Sequence, residues 1–231
     1  MEASTFQPAW NVVADAARVG APTGLLDLGC GDGRFCVFAA ERGATVHGVD
    51  AEPDGIAAAL DRVPGGDFRL GLMEDLPWPD DCFDVVTSFN ALQYALDPEL
   101  ALAEACRVAQ PDGCIAICKW GPPAENEFFA FLISLGANGV SQAHLPMTDP
   151  VDDAIRASRR QVLATSHIAA PIEIPDDASL EAALSRAGIT ADPVAATGPT
   201  DISAAAAPYR RGDGTYRFGN RLRYWILRRV S

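Results

Sequence analysis

Between residues 20 and 120 short apolar runs alternate with amphipathic stretches, and this rhythm limits the fold more than any other feature of the chain. The apolar runs are TGLLDLG, ATVHGVD, DFRLGL, CFDVVTSFN and GCIAICKW. Three of the intervening stretches, DGRFCVFAAERG, EPDGIAAALDRV and PELALAEACRVA, read as helices. Phe35, Phe38 and Ala39 share one face of the first, Pro53 sits in the opening turn of the second, and Leu100, Ala103 and Arg107 step round one side of the third. CFDVVTSFN is nearly continuous in apolar character, as a strand covered on both faces is. Strands alternating with helices predict a doubly wound, mostly parallel sheet whose ligand crevice lies at the C-terminal strand ends.

The first strand runs into Gly29-Cys30-Gly31-Asp32-Gly33 and then a helix. A strand that turns sharply into a helix leaves free N–H groups at the helix start, and glycines let the backbone turn and let a ligand press close. The spacing is GxGxG, with Arg34 where a dinucleotide fingerprint has its third glycine, and no G-K-[ST] follows. The loop therefore suits a ligand without a pyrophosphate. Asp50 ends the next strand, where a carboxylate accepts hydrogen bonds from a ribose diol. Asp27 precedes the first glycine by two residues, placed to reach an ammonium group or to brace the loop.

Outside 20–120 the rhythm breaks. FQPAWNVVADAARVG reads as a lead-in helix ended by Gly20. Residues 121–208 hold helix-like pieces, ENEFFAFLISLG, VDDAIRASRRQVLAT and SLEAALSRAG, among proline-containing loops. The last of these has Ser179 as its cap and Gly188 as its stop. We expect this stretch to be partly a cover over the crevice and partly the last αβ unit. A turn at Gly212-Asp213-Gly214 leads to a final strand, LRYWILRRV, expected to run antiparallel to its neighbour. The whole of 1–231 is expected to form a single domain, its 48% hydrophobic content being enough for a full core.

The formal net charge of -13 argues against a nucleic-acid partner, since a groove that tracks phosphates needs a basic surface. The basic residues between Arg210 and Arg229 read as a solvated strand face. No run of 18 apolar residues occurs and the N-terminus lacks the pattern of a secretory signal, so no membrane partner is expected. The six cysteines form no CxxC pair and fall mostly in apolar runs, which predicts reduced, buried thiols in a cytoplasmic protein and no metal site.

LLDLGCGDG with VHGVDAEP, then GLMEDLPWPDDCFDVV, SFNALQYALDP and EACRVAQPDGCIAI, resembles the class I S-adenosylmethionine-dependent methyltransferases, and among them the type 11 small-molecule branch. The resemblance covers roughly residues 25–120. It implies a Rossmann-like sheet of seven strands, mostly parallel, with a C-terminal antiparallel strand and a helical insertion or cover after strand five. It implies S-adenosylmethionine as cofactor, with Gly29, Cys30, Gly31 and Gly33 along its methionine and ribose portion and Asp27 by the amino-acid end. Asp50 would take the ribose hydroxyls and Ala51 would lie beside the adenine. The family's usual Gly-Asp-Ala-x-x-Leu-Pro stands here as Gly71-Leu72-Met73-Glu74-Asp75-Leu76-Pro77, so Leu72 replaces the Asp that commonly meets the adenine amino group. Backbone at Met73 and apolar packing by Leu72 and Met73 would substitute. Asn90 and Gln93 follow strand four near the methionine amine.

Methyl transfer from a sulfonium is an in-line displacement, so alignment and exclusion of water are the main tasks, and a base is needed only for a tightly held proton. His144 and His167 lie in the expected cover, as bases or as bystanders; His47 lies inside a strand, where a core or sheet role is expected. Tyr94 either orients a substrate or packs at the strand end. Trp120 either walls the crevice mouth or covers the sheet edge. Phe128 belongs to an apolar helix face that either fills a core or touches substrate. The chain is thus expected to methylate a small organic molecule at O, N or C, as a monomer or homodimer. The alternatives are a macromolecular methyltransferase, and a protein of the same fold that is a non-methylating cyclase or a binding module.

Overall fold

The computed structural model describes residues 3–135, 149–186 and 202–228. The chain divides into two compact units. The first comprises Met1–Lys119, Thr148–Ile168 and Leu222–Ser231, and the second comprises Trp120–Met147 and Ala169–Arg221.

The first unit is built on a seven-stranded sheet. Helix α1 (Ala3–Ala16) leads into β1 (Gly24–Leu28), α2 (Arg34–Glu41), β2 (Thr45–Asp50), α3 (Pro53–Arg62) and β3 (Asp67–Leu70). Then come β4 (Phe83–Phe89), α4 (Pro98–Val108) and β5 (Ala109–Trp120); later come α6 (Pro150–Ala157), β6 (Gln161–Ala169) and β9 (Arg221–Arg228). The spatial order is β3-β2-β1-β4-β5-β9-β6. The pairs from β3 across to β5 are parallel, with α2, α3 and α4 in the sequence gaps between strands. This is the doubly wound, mostly parallel sheet that the alternation predicts. β9 runs against its neighbours. The Gly121 N–H, just past β5, donates to the Arg221 carbonyl at the start of β9 (2.9 Å), and the Ala170 N–H, just past β6, donates to the Asn220 carbonyl (2.8 Å).

The order runs outward from β1 to β3 and then crosses back to β4, so the switch point lies between β1 and β4. Both strands are buried almost throughout, which is why they read as continuous apolar runs. The core beneath them gathers Leu26, Val86, Leu102, Ile115, Ile117 and Trp225. His47 is a half-buried residue of β2: its Nδ1 lies 3.2 Å from the Leu25 carbonyl oxygen and its ring meets Phe83 edge to face. Helix starts follow local chemistry. Asp97 accepts the N–H groups of Glu99 and Leu100, both at 3.0 Å, and Asp149 accepts those of Val151 and Asp152. Proline follows each cap, and such caps contribute about 1 kcal/mol each.

The second unit holds α5 (Glu127–Ser134), β7 (Ile172–Ile174), α7 (Asp177–Arg186), α8 (Ile202–Ala206) and β8 (Tyr216–Phe218). β7 and β8 form a two-stranded antiparallel sheet, with Ile172 opposite Phe218 and Ile174 opposite Tyr216. Phe131, Leu132, Leu180, Leu184, Tyr216 and Phe218 form its core.

Two local expectations are corrected. VDDAIRASRRQVLAT is not helical throughout: α6 stops at Ala157, and QVLAT opens strand β6. Arg159 takes a left-handed φ of 52°, which ends the helix, and β-branched residues follow. The cap of α7 is Asp176, not Ser179: its Oδ1 accepts the Ser179 N–H at 2.8 Å. The stop assigned to Gly188 lies outside the described residues.

Candidate functional site

The glycine loop hangs from the end of β1 at the switch point. The N–H groups of Gly29 and Cys30 both donate to the Val49 carbonyl of β2, at 2.8 and 3.0 Å. Gly29, Gly31 and Gly33 all adopt positive φ, of 69°, 50° and 75°. Two of them differ in what surrounds them. A Cβ on Gly29 would stand 2.3 Å from the Cβ of Ala91, just past β4, so this glycine lets two strand ends close together. A Cβ on Gly31 would meet nothing within 4 Å, so its backbone faces open space. α2 begins without a side-chain cap, which leaves the first N–H groups of the helix to other partners.

Asp50 holds this loop. Its Oδ2 accepts the Gly31 N–H at 2.7 Å and its Oδ1 accepts the Glu52 N–H at 2.9 Å. Each carboxylate oxygen keeps a further lone-pair direction, so the group that shapes the loop retains capacity for hydroxyl donors.

Asp27 is buried, with 3% of its surface exposed. The Thr87 hydroxyl across the β1–β4 ladder donates to its Oδ1 at 2.7 Å, and the Cys36 thiol lies 3.9 Å from Oδ2. Burial pushes its pKa up to about 7, against the opposing pull of the Thr87 hydrogen bond and with a smaller push from the Asp50 charge. These contacts of Asp27 run to β4 and α2 rather than to the glycine loop itself. Cys30 is buried too, and burial raises its thiol pKa, which makes it a packing residue rather than a nucleophile.

Past β4, Asn90 adopts a left-handed φ of 53° and its N–H donates to the Cys118 carbonyl at 2.7 Å. Gln93 Nε2 donates to Asn90 Oδ1 at 2.8 Å, which fixes the Gln93 amide. Gln93 Oε1 is then buried with no hydrogen-bond partner. On the other side, the Gly71 N–H donates to the Asp50 carbonyl at 3.0 Å and brings the 71–73 segment to the end of β2. Met73 packs on the core close to Gly29, while Leu72 is 47% exposed and Ala51 is exposed. Arg107 fixes the remainder of that loop through the carbonyls of Leu76 and Trp78 and the carboxylates of Glu104 and Asp80.

The structure therefore brings together Asp27, Gly29, Cys30, Gly31, Gly33, Asp50, Met73, Asn90 and Gln93 around the ends of β1, β2 and β4. Sequence reasoning missed Ala91, Thr87 and Gly48. A Cβ on Gly48 would collide with the Cys30 side chain at 2.8 Å, a constraint that only the β1–β2 register reveals. Tyr94 ends a short 3-10 helix (Leu92–Tyr94) and is 64% exposed. His167 is an exposed residue of β6, the strand at the sheet's end. Trp120 and Phe128 belong to the second unit; Trp120 meets Phe129 edge to face, and Phe128 packs against Phe218. His144 lies outside the described residues. Among the described residues no group of three or more His, Cys, Asp or Glu side chains is arranged to hold a metal ion, and no helix is long and apolar enough to cross a membrane.

These features fit a nucleoside-bearing amino acid such as S-adenosylmethionine. The open backbone at Gly31 admits close approach, Asp50 offers acceptors, Gln93 Oε1 is a buried acceptor awaiting a donor, and Leu72 offers an exposed apolar surface.

The family model described as a methyltransferase domain matches residues 26–117. Over 91 residues the chain is 38% identical to malonyl-[acyl-carrier protein] O-methyltransferase of Serratia marcescens, a match that takes in 39% of this chain and 36% of that one. The chain spans about half the length of the curated relatives it matches, or less. The solved structure of the YcgJ protein from Bacillus subtilis superposes with a TM-score of 0.67 at 21% identity, over 96% of this chain and 99% of that one. Geranyl diphosphate C-methyltransferase from Streptomyces coelicolor, solved with Mg2+, geranyl diphosphate and S-adenosyl-L-homocysteine, superposes with a TM-score of 0.59 at 17% identity, over 96% of this chain and 78% of that one. At such identities the structures share the fold. Residues 26–117 thus match a methyltransferase domain, and the sheet that carries them shares its fold with these solved structures.

Proposed function

We propose that this chain transfers a methyl group from S-adenosylmethionine to a small organic molecule, at O, N or C. The observation that carries the reading is the Gly31 backbone, left-handed and open to a ligand, tied directly to Asp50. In this reading the glycine loop seats the methionine and ribose portion, and Asp50 accepts from the ribose hydroxyls while holding Gly31 in place. Gln93 Oε1 accepts from the amine end, with Asn90 fixing its amide. Leu72 and Met73 pack on the adenine, beside Ala51. When bound, S-adenosylmethionine supplies an electrophilic methyl group on a sulfonium. The protein's part is then to align the acceptor and to exclude water.

The Streptomyces neighbour's acceptor, geranyl diphosphate, supports a small molecule, whereas the Serratia relative is named for a malonyl group on acyl carrier protein; one is a C- and the other an O-methyltransferase, so the atom is not selected. The formal charge of -13 speaks for a partner other than nucleic acid. A cytoplasmic monomer or homodimer completes the reading. Tyr94, Trp120 and Phe128 are the proposed acceptor contacts. His144 and His167 are the proposed bases for an acceptor that holds its proton tightly; alanine at each, with turnover and cofactor affinity measured together, tests that role.

A methyl-release assay over a panel of small alcohols, phenols, amines and carboxylic acids tests the proposal. Transfer to any of them supports it. Cofactor binding without transfer to any acceptor favours the cyclase or binding-module reading instead.

A further inference from the structure

The second unit contains a cleft of its own. It has a volume of about 470 Å³, within the range that holds small-molecule ligands, and is lined by Glu125, Glu127, Pro171, Arg217, Asn220 and Arg221 among others. It forms where the residues following β5 and β6 meet those preceding β9.

Asn220 is its unusual member. Only 3% of the residue is exposed, and its Nδ2 is buried without a hydrogen-bond partner. The amide cannot simply turn over to relieve this. Its Oδ1 accepts the Phe128 N–H at 3.1 Å, and a reversed amide would set two donors against each other. The surrounding backbone is already spoken for. The Asn220 carbonyl accepts from Ala170, the Arg221 N–H donates to Asn126 Oδ1 at 3.2 Å, and the Gly219 N–H donates to Glu127. The frame thus holds in place an unpartnered NH2 group on a residue that lines the cleft, and a buried donor of that kind calls for an acceptor.

The charges narrow the acceptor. Arg221 has no ion-pair partner among the described residues, while Arg217 lies 3.4 Å from Glu173. With Arg217 engaged by Glu173, the Arg221 guanidinium is the one that favours an anion over a neutral carbonyl. Glu125 and Glu127 on the same rim disfavour a doubly charged phosphate more than a singly charged group. We propose that this cleft binds a small molecule through a single carboxylate, held by Asn220 Nδ2 and the Arg221 guanidinium. The inference stands apart from the methyl-transfer reading, because it concerns residues of the second unit alone and needs no cofactor.

Nuclear magnetic resonance of the full chain with its asparagine side chains labelled tests it. The probes are benzoate and hexanoate, with benzamide and inorganic phosphate as controls. The expected result is a saturable shift of the Asn220 amide signals with at least one carboxylate, and none with benzamide or phosphate. Asn220→Asp keeps the acceptor for the Phe128 N–H but removes the donor, and should weaken carboxylate binding by about tenfold or more. Arg221→Gln should weaken it similarly and serves if the first variant fails to fold. Absence of any carboxylate-dependent shift at Asn220, equal binding of benzamide, or unchanged binding in folded variants would overturn the proposal.

Discussion

Asp50 Oδ2 accepts the Gly31 backbone N–H at 2.7 Å, so the carboxylate that ends β2 is also the clamp on the glycine loop that follows β1. One side chain thereby shapes the glycine loop and, in the proposed function, offers acceptors to the ribose. Replacing Asp50 with alanine should weaken S-adenosylhomocysteine binding by about 1–3 kcal/mol, the scale of hydrogen bonds to a charged group. Asp50→Asn should retain an acceptor for Gly31 and lose less. Calorimetric titration of both variants checks the order, and equal affinity in wild type and Asp50→Ala would remove Asp50 from the ribose contact.

Gly29 and Gly31 should respond differently to alanine. Both have positive φ, which costs an alanine about 1–2 kcal/mol. At Gly29 the new Cβ also strikes Ala91 at 2.3 Å, so Gly29→Ala should lose more stability than that strain alone. At Gly31 the Cβ enters open space, so Gly31→Ala should lose little stability beyond the strain but should bind the cofactor poorly. Thermal unfolding and titration of the pair separate the effects. Equal destabilisation with full cofactor affinity in Gly31→Ala would mean that the open face of the loop is not where the ligand lies.

Gln93 offers a subtler probe. Gln93→Leu keeps the volume and removes the buried acceptor Oε1. The apoprotein should change in stability by no more than about 1 kcal/mol, because removing the unsatisfied oxygen offsets the lost Nε2 hydrogen bond to Asn90. S-adenosylhomocysteine affinity should fall by about 1–2 kcal/mol. Unchanged affinity would show that Oε1 does not meet the ligand.

Asp27 makes stability depend on pH. Its folded pKa of about 7 stands above the ordinary carboxylate value of 3.8, and burial is the main cause. Between those values the folded protein keeps a proton that the unfolded chain has released. Its contribution to stability is therefore greatest below pH 3.8 and is lost as pH rises through 7, at up to about 1.4 kcal/mol per pH unit. Asp27→Asn preserves an acceptor for the Thr87 hydroxyl and abolishes the titration. Denaturant unfolding at a series of pH values should show the variant gaining on wild type from about pH 4 to pH 7 and holding steady above. A constant difference across that window would contradict the assigned burial of the charge.

The first five strands were legible because each level of the sequence agrees there. Buried strands such as FDVVTSF are apolar over most of their length, Asp97 and Pro98 mark a helix start, and glycines mark the turn. The loop glycines and Asp50 were legible for the same reason, since each sits at a strand end that the rhythm locates. Ala91 and Thr87 were not, because their roles depend on the β1–β4 register. QVLAT misled because it directly follows a capped helix and is short enough to extend its pattern. The second unit left least trace: β7 and β8 are three residues each, and their pairing joins positions more than forty residues apart. The Asn220 cleft likewise joins segments near 125, 170 and 220 that no local pattern connects.

The central claim is that a nucleoside thioether seats against the backbone at Gly31 under the grip of Asp50. Calorimetric titration of S-adenosylhomocysteine into the wild-type chain, repeated with Asp50→Ala, tests it most directly. The account predicts saturable one-to-one binding that the substitution weakens by about fivefold or more. No detectable binding to the folded wild type, or binding that the substitution leaves untouched, would contradict it.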